Sequence, residues 1–155
     1  MSKTNAIRIL ELKGIEFQTV KYDFNENELD AASVAKKVKA EPETVFKTLV
    51  ARGKKTGINV FCIPGNYELN LKKAAKVSGN KSIELIKVKE LLPLMGYIRG
   101  GCSPIGMKKK YPTFIDETAQ LFEKIYISAG VIGTQIIISP NQLSELIESE
   151  FVDLI

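Results

Sequence analysis

The sequence predicts one α+β domain over residues 1–155, in which a mixed, largely antiparallel, barrel-like sheet is flanked by peripheral helices. Strand-like and helix-like segments follow one another irregularly, without the repeated βαβ order of a parallel sheet. Two β-rich segments, Val45 to Arg52 and Ile58 to Ile63, are joined by five residues that include two glycines, which predicts a hairpin. A chain of 155 residues with 45% hydrophobic residues is long enough to build a core without disulfide bonds or metal.

Apolar residues three or four positions apart predict three helices in the first half of the chain. They are Thr4 to Lys13, Ala31 to Val38 and Leu71 to Val77. Gly14 and Gly79 stand where the first and third of these helices should end. Phe17 to Tyr22 is predicted to be a strand, and the polar segment Asp23 to Glu28 a loop.

The second half begins with a short helix over Val88 to Met95 and an irregular segment over Gly96 to Pro112. The last helix is predicted over Asn141 to Glu150, because Ser139, Pro140 and Gln142 form the pattern of a capping box. Between them, three β-rich segments are predicted to be strands: Thr113 to Asp116, Lys124 to Ser128 and Thr134 to Ile138.

The amino-acid composition excludes several classes of catalytic site. The chain has no histidine, so Ser-His and Cys-His nucleophile systems and an imidazole base are excluded. We expect no metal site and no cofactor. Two cysteines cannot form a disulfide framework, and the net charge of +4 is only mildly basic. We find no secretory, membrane-spanning or lipidation signal and therefore expect a cytoplasmic protein.

Lys47 is the most informative single residue. In a strand it shares a face with Val45, Leu49 and Ala51, so it is the one charged side chain on an otherwise apolar face. Such a lysine either reaches water at a sheet edge or extends into a cleft that receives an anion. The strand pattern alone leaves both interpretations open.

Two glycine-rich segments, Gly96 to Gly106 and Ser128 to Gly133, could present free backbone amides to an oxyanion or phosphate, or could simply be tight turns. Cys102 lies in the first segment without a histidine to activate it, and Cys62 alternates with apolar residues, as expected of a core residue. Lysines cluster at positions 72, 73 and 76 and at positions 108–110, where they form either a phosphate-attracting rim or solvated faces.

Four segments, in the same order along the chain, resemble motifs of the YbaK/EbsC family of aminoacyl-tRNA deacylases. They are Val45-Phe46-Lys47-Thr48-Leu49-Val50, Leu69 to Lys76, Gly96 to Gly106 and Ile125 to Gly130. The resemblance implies a barrel-like fold with peripheral helices. It also implies removal of cysteine from Cys-tRNA(Pro), and of cysteine from Cys-tRNA(Cys), with mischarged tRNA as a partner and prolyl-tRNA synthetase as a candidate partner.

The resemblance also assigns roles to residues. Lys47 would be the essential residue that holds the tRNA 3′ end, and Gly101 would line the pocket and limit side-chain size. The substrate-binding positions implied by the motifs are Tyr22, Thr48, Gly100, Gly101, Ser128, Gly130 and Gly133. The chain departs from the usual family pattern at Leu29 to Ala32, at Cys102 and at Ala129, which bears on the preferred misacylated tRNA.

The family mechanism suits a chain without histidine, because the thiol of the substrate's own cysteine attacks the ester carbonyl and forms a cyclic thiolactone. The protein then has to position the ester, favour the thiolate and stabilise the oxyanion. Two alternatives remain: a deacylase for Ala-tRNA(Pro) or another mischarged tRNA, which would need an activated water, and a non-catalytic module that binds tRNA or a synthetase. A redox role for Cys102 is a further, more distant alternative.

Overall fold

A computed structural model describes residues 3–155, and within this range the chain forms five α-helices and eight strands. The helices are α1 (Asn5–Leu12), α2 (Ala31–Val38), α3 (Leu71–Val77), α4 (Val88–Met95) and α5 (Pro140–Ile147). The strands are β1 (Gln18–Lys21), β2 (Phe46–Gly53), β3 (Gly57–Pro64), β4 (Ile83–Leu85), β5 (Thr113–Asp116), β6 (Ile125–Ser128), β7 (Thr134–Ile138) and β8 (Glu150–Val152). Two short 3₁₀ helices span Pro42–Thr44 and Glu117–Leu121.

The larger sheet has five strands in the order β4-β2-β3-β5-β8. The strands β4, β2 and β3 pair antiparallel, whereas β3 with β5 and β5 with β8 pair parallel. The long β2–β3 hairpin forms the centre of this sheet and places Lys47 opposite Ile63. On one face, Phe61 and Ile63 pack with Ala74 and Ala75 of α3.

The smaller sheet has three antiparallel strands in the order β1-β7-β6. Four of its isoleucines, at positions 125, 127, 136 and 138, are fully buried against Cys62 and Ile115 of the larger sheet. A parallel bridge between Val45 and Tyr126 links the two sheets. The α+β prediction is confirmed, but the strands form two open sheets rather than one closed barrel.

Two predicted boundaries need correction, in the hairpin and at the end of the last helix, while the other predicted ends agree with the structure to within one residue. Gly53 pairs with Gly57, so the hairpin connection has three unpaired residues rather than five. The last helix ends at Ile147 because Glu148 adopts a left-handed conformation with φ 53°, and residues 150–152 form β8 instead. At the start of this helix the cap is confirmed, since the Ser139 hydroxyl accepts a hydrogen bond from the Gln142 amide at 3.5 Å.

The last residues are fastened to the larger sheet by Asp116, whose carboxylate is fully buried. One oxygen accepts a hydrogen bond from the Leu154 amide at 2.9 Å, and the other accepts from the Thr118 amide and hydroxyl at 3.1 and 2.5 Å. Leu154 is itself fully buried beside Phe61 and Phe114, whose rings stack with centroids 5.5 Å apart. Asp116 is therefore a structural residue that closes the edge of the sheet.

Candidate active site

A cavity of about 520 Å³ opens beside the middle of β2. Its walls come from six parts of the chain: β2, the start of α2, Gly65 after β3, the β4–α4 connection, the segment at residues 99–102, and the smaller sheet through Ser128 and Gln135. This volume is within the range of small-molecule sites in proteins. The cavity is where the strand pattern of β2 and the two glycine-rich segments of the sequence converge.

Lys47 lies in the wall of this cavity. Its side chain is half-buried, and its ammonium nitrogen lies 3.4 Å from the carbonyl oxygen of Gly65. Burial lowers the pKa of the Lys47 ammonium, and the nearby charges of Glu68 and Asp30 partly offset this effect. The interpretation in which Lys47 extends into a cleft is therefore the one that the geometry supports.

The cavity carries more positive than negative charge. Lys87 and Arg99 lie in its walls together with Lys47, and within residues 3–155 none of the three forms a salt bridge. The one carboxylate in its lining is Asp30, which caps α2 by accepting hydrogen bonds from the Ser33 amide at 3.1 Å and hydroxyl at 2.7 Å. These hydrogen bonds lower the pKa of Asp30, so it is a carboxylate with a structural role at neutral pH.

The two glycine-rich segments pack against each other at one side of the cavity. A Cβ atom at Gly101 would lie 3.2 Å from the backbone nitrogen of Ile132 and 3.3 Å from two backbone atoms of Val131. Gly101 therefore allows the two backbones to approach, because neither can move aside easily. Gly100 lies in the cavity lining itself, whereas Gly101 supports the wall from behind.

Half of the predicted site residues reach the cavity: Lys47, Thr48, Gly100 and Ser128. The other four, Tyr22, Gly101, Gly130 and Gly133, lie outside its lining. Tyr22 packs against buried Val34 and Val45, which do line the cavity, and its backbone amide donates to the Gly133 carbonyl at 3.0 Å. A Cβ atom at Gly130 would lie 2.8 Å from the Tyr97 ring.

Both cysteines are buried, as a core role predicts for Cys62. Burial raises the pKa of each thiol to about 12, so both are neutral at physiological pH. Cys102 lies in the lining of the cavity, and Cys62 lies behind it with its sulfur 3.8 Å from the Thr48 hydroxyl. Neither thiol is activated as a nucleophile in this arrangement.

Sequence reasoning missed Lys87, Arg99 and Gln135 as members of the site. The lysine clusters that drew attention instead lie outside the cavity lining. In those clusters Lys73 pairs with Asp153 at 2.8 Å, and Lys110 pairs with Glu148. A usable signal existed only for Gln135, a polar residue among the isoleucines of β7. Lys87 and Arg99 are ordinary surface residues in the sequence, and only the tertiary fold brings them together.

The family of the chain is decided by a match to a known domain. Residues 25–146 match the model of the aminoacyl-tRNA editing domain, which spans most of the chain. The chain belongs to the aminoacyl-tRNA editing domain family. The matched region contains every residue of the cavity lining, so the cavity lies within the shared editing domain.

Individual relatives agree with this assignment. The editing domain is 46% identical over 152 residues to EbsC of Enterococcus faecalis, a protein with the provisional name Cys-tRNA(Pro)/Cys-tRNA(Cys) deacylase. That match covers 98% of this chain and 93% of EbsC. These values extend the resemblance in the four sequence motifs to nearly the full length of both proteins.

Solved structures share the fold. One, described provisionally as a trans-editing enzyme for prolyl-tRNA synthetase, superposes with a TM-score of 0.84 at 25% identity, covering 99% of this chain and 98% of that one. A hypothetical protein superposes with a TM-score of 0.88 at 20% identity, covering 97% and 99%. Among the described residues of this editing domain, no helix is long and apolar enough to cross a membrane.

Proposed function

We propose that this protein is a trans-editing deacylase that removes cysteine from mischarged Cys-tRNA(Pro), and that it also accepts Cys-tRNA(Cys). The cavity beside β2 would hold the aminoacyl ester, and Lys47 would be the residue on which activity depends. The observation that carries this proposal is the Lys47 ammonium in the cavity wall, which faces a backbone carbonyl and no paired carboxylate. A cation in this state can still bind an anionic or electron-rich group of a substrate.

The charge of the cavity supports an RNA 3′ end as the occupant. Lys47, Lys87 and Arg99 supply three cationic groups, which suit the phosphates next to the terminal nucleoside. Val88 and Leu85, at the same mouth, are exposed apolar side chains that suit the face of a base. The remaining, more enclosed part of the cavity would take the aminoacyl group.

The chemistry we propose uses the substrate's own thiol. The cysteine sulfur attacks the ester carbonyl carbon, a carbon–sulfur bond forms, and the bond from that carbon to the ribose oxygen breaks. The thiol proton ends on the departing ribose oxygen, so the products are tRNA with a free terminal hydroxyl and a four-membered thiolactone. Lys47 would favour the thiolate and the developing negative charge on oxygen.

The lining of the cavity fits this route better than attack by water. Hydrolysis of an alanyl ester needs a general base, and the one carboxylate of the lining, Asp30, is occupied by Ser33. Cys102 has a pKa of about 12 and is no better suited as a base or nucleophile. An intramolecular nucleophile removes the need for either group, since it is already held next to the carbonyl.

The test is deacylation of purified Cys-tRNA(Pro), Ala-tRNA(Pro) and Cys-tRNA(Cys) by wild-type protein and by Lys47→Ala. We expect multiple turnovers on the cysteinyl substrates, abolished by Lys47→Ala, and formation of the thiolactone. Lys54→Ala removes an exposed lysine from the hairpin connection and is the matched control that should leave turnover unchanged.

The other outcomes separate the alternatives. Turnover on Ala-tRNA(Pro) alone would replace the proposed substrate and contradict the thiol-assisted route. Binding of all three tRNAs, with protection of the ester bond and no turnover, would show a non-catalytic binding module. Activity that survives in Lys47→Ala would remove Lys47 from the mechanism. A prolyl-tRNA synthetase that raises the rate would support it as a partner.

A further inference from the structure

Gln135 is a buried polar residue in the cavity wall that the sequence motifs did not single out. It lies on β7, paired across the sheet with Ser128 of β6 and with Val20 of β1. Its side chain is only 5% exposed, and it lines the same cavity as Lys47 and Ser128. Its strand neighbours Ile136 and Ile138 belong to the core on the other face of the strand, so Gln135 is a polar residue beside the isoleucines of β7.

The Gln135 side-chain oxygen has no hydrogen-bond partner within residues 3–155. A buried amide oxygen without a partner costs stability, because this oxygen has lost its hydrogen bonds to water and gained none in return. Leucine has a similar volume and would fill this place without that cost. The oxygen itself is covered in this structure, whereas the residue lines the cavity, so a ligand that brings the missing donor would reach the oxygen after rotation of the side-chain amide.

The donors of an aminoacyl ester identify the partner group. The ester end of an aminoacyl-tRNA carries two strong donors, the α-ammonium group and the free hydroxyl of the terminal ribose. The three cations of the cavity repel an ammonium group, and the carboxylate of Asp30 already accepts two hydrogen bonds from Ser33. Within residues 3–155, the neutral side-chain carbonyl of Gln135 is thus a buried acceptor of this wall without a partner, whereas Lys87 and Arg99 are exposed.

We propose that the Gln135 side-chain oxygen accepts a hydrogen bond from the α-amino group of the aminoacyl ester and so positions it for cleavage. This inference rests on the proposed function and adds the recognition of one substrate group to it. An amino group that is acylated has a single N–H and a bulky substituent, so the same contact would disfavour peptidyl-tRNA. Gln135 is then a specificity-determining residue for free aminoacyl esters.

The experiment compares two substrates that differ only in the amino group. Wild-type protein, Gln135→Leu and Gln135→Glu are assayed for kcat/KM on cysteinyl-tRNA(Pro) and on 3-mercaptopropionyl-tRNA(Pro), which keeps the thiol and lacks the amine. We expect wild type to prefer the cysteinyl ester roughly 10- to 100-fold, the range for a hydrogen bond to a charged group. Gln135→Leu should cleave both esters alike, and Gln135→Glu should keep the preference.

Two observations separate substrate recognition from damage to the fold. Gln135→Leu removes the buried amide oxygen that lacks a partner within residues 3–155, so its unfolding midpoint should equal or exceed that of wild type. Gln120→Leu, at an exposed glutamine, should leave both rates unchanged. Equal losses on both esters in Gln135→Leu, with the wild-type preference retained, would overturn the proposal.

A failure of the proposed function gives a different result. If wild type cleaves alanyl and not cysteinyl esters, the substrate is wrong, and the alanyl–propionyl pair then tests Gln135 in the same way. If wild type cleaves no ester, binding of adenosine carrying a 3′-cysteinylamido or a 3′-mercaptopropionylamido group replaces kcat/KM. In each case, the contact is supported if wild type prefers the ligand with the amine and Gln135→Leu abolishes this preference. The contact is refuted if Gln135→Leu keeps the preference.

Discussion

The ammonium nitrogen of Lys47 and the carbonyl oxygen of Gly65 lie 3.4 Å apart at the wall of the cavity. Gly65 is itself held there, since its amide donates to the Val45 carbonyl at 2.7 Å and a side chain at this position would run into Ala31 of α2. A carbonyl orients the ammonium group without neutralising its charge. The pair therefore keeps a desolvated cation available to a ligand.

Replacement of Lys47 by methionine should lower the deacylase activity without lowering the stability of the fold. Methionine keeps the length of the side chain and removes the charge, so we expect deacylation to fall roughly 100-fold or more. The unfolding midpoint should stay level or rise, because a half-buried charge without a salt bridge costs stability. Deacylation assays and thermal unfolding measure the two effects. Lys54→Met is the control for charge, and a large drop in the midpoint of Lys47→Met would contradict this account.

The stability difference between wild type and Lys47→Met should depend on pH. Burial lowers the pKa of Lys47 in the folded protein, so between the folded and unfolded pKa values the unfolded chain binds more protons. The contribution of Lys47 to stability therefore becomes more favourable as pH rises through the lowered pKa toward that of a free lysine, about 10.4. Denaturant unfolding of both proteins should show the difference narrowing in the alkaline range. A constant difference across pH would contradict the direction of the shift.

Gly101→Ala should damage both stability and activity. The new methyl group would lie 3.2 Å from the Ile132 nitrogen, so the two glycine-rich segments must separate slightly, at a cost of about 1–3 kcal/mol. The cavity wall moves with them, and deacylation should fall. Ile138→Val shortens a fully buried side chain on the core face of β7 and is the control for general destabilisation, with activity retained. An unchanged unfolding midpoint in Gly101→Ala would show that the two glycine-rich segments can separate without cost, which would contradict this prediction.

Both thiols should resist alkylation in the folded protein. Burial raises the pKa of Cys62 and Cys102 to about 12, so at pH 8 about one part in 10,000 is thiolate. Iodoacetamide at pH 8 should modify neither residue until the protein is unfolded, as mass spectrometry would show. Cys102→Ser should retain at least half of the deacylase activity. Rapid modification of Cys102, with loss of activity, would revive a thiol-based role.

Asp116→Asn should loosen the end of the chain without affecting the site. The amide nitrogen of asparagine cannot accept the hydrogen bonds that one carboxylate oxygen receives from Thr118, or, in the flipped orientation, the one from Leu154. We expect a loss of about 1–3 kcal/mol in the free energy of unfolding and deacylase rates close to wild type. Hydrogen exchange should localise the loosening to residues 150–155. Unchanged exchange there would contradict the role of Asp116.

The elements with strong local signals were predicted well. The Val88–Met95 helix and the Thr113–Asp116 and Thr134–Ile138 strands have the predicted bounds. The missed strands, β4 and β8, have three residues each, and their apolar pattern is too short to be recognised. They form because they pair with β2 and β5, which are distant in the sequence. The local sequence carries no information about this pairing.

The residue pattern drew attention to Lys47 through a contradiction between its charge and its apolar strand face, and the family motifs added Thr48, Gly100 and Ser128, which also line the cavity. Lys47 stood out because a charge interrupts an apolar strand face, and the structure places it in the cavity. Lys87 and Arg99 carry no such contradiction, since exposed cations are common on loops and helix ends. Their membership of the site follows from how β4 and α4 pack beside β2, which depends on contacts between distant parts of the chain.

The walls of the cavity are contributed by residues from position 29 to position 135, and the central sheet joins β3 to β5 and β5 to β8 by long parallel crossovers. Folding kinetics follow from this arrangement. The β2–β3 hairpin can form early from local contacts, but the binding cavity has to wait for late, non-local assembly of both sheets. Recovery of ligand binding on refolding should therefore follow the slowest phase, and a half-folded chain would hold Lys47 on a hairpin with no enclosure around it.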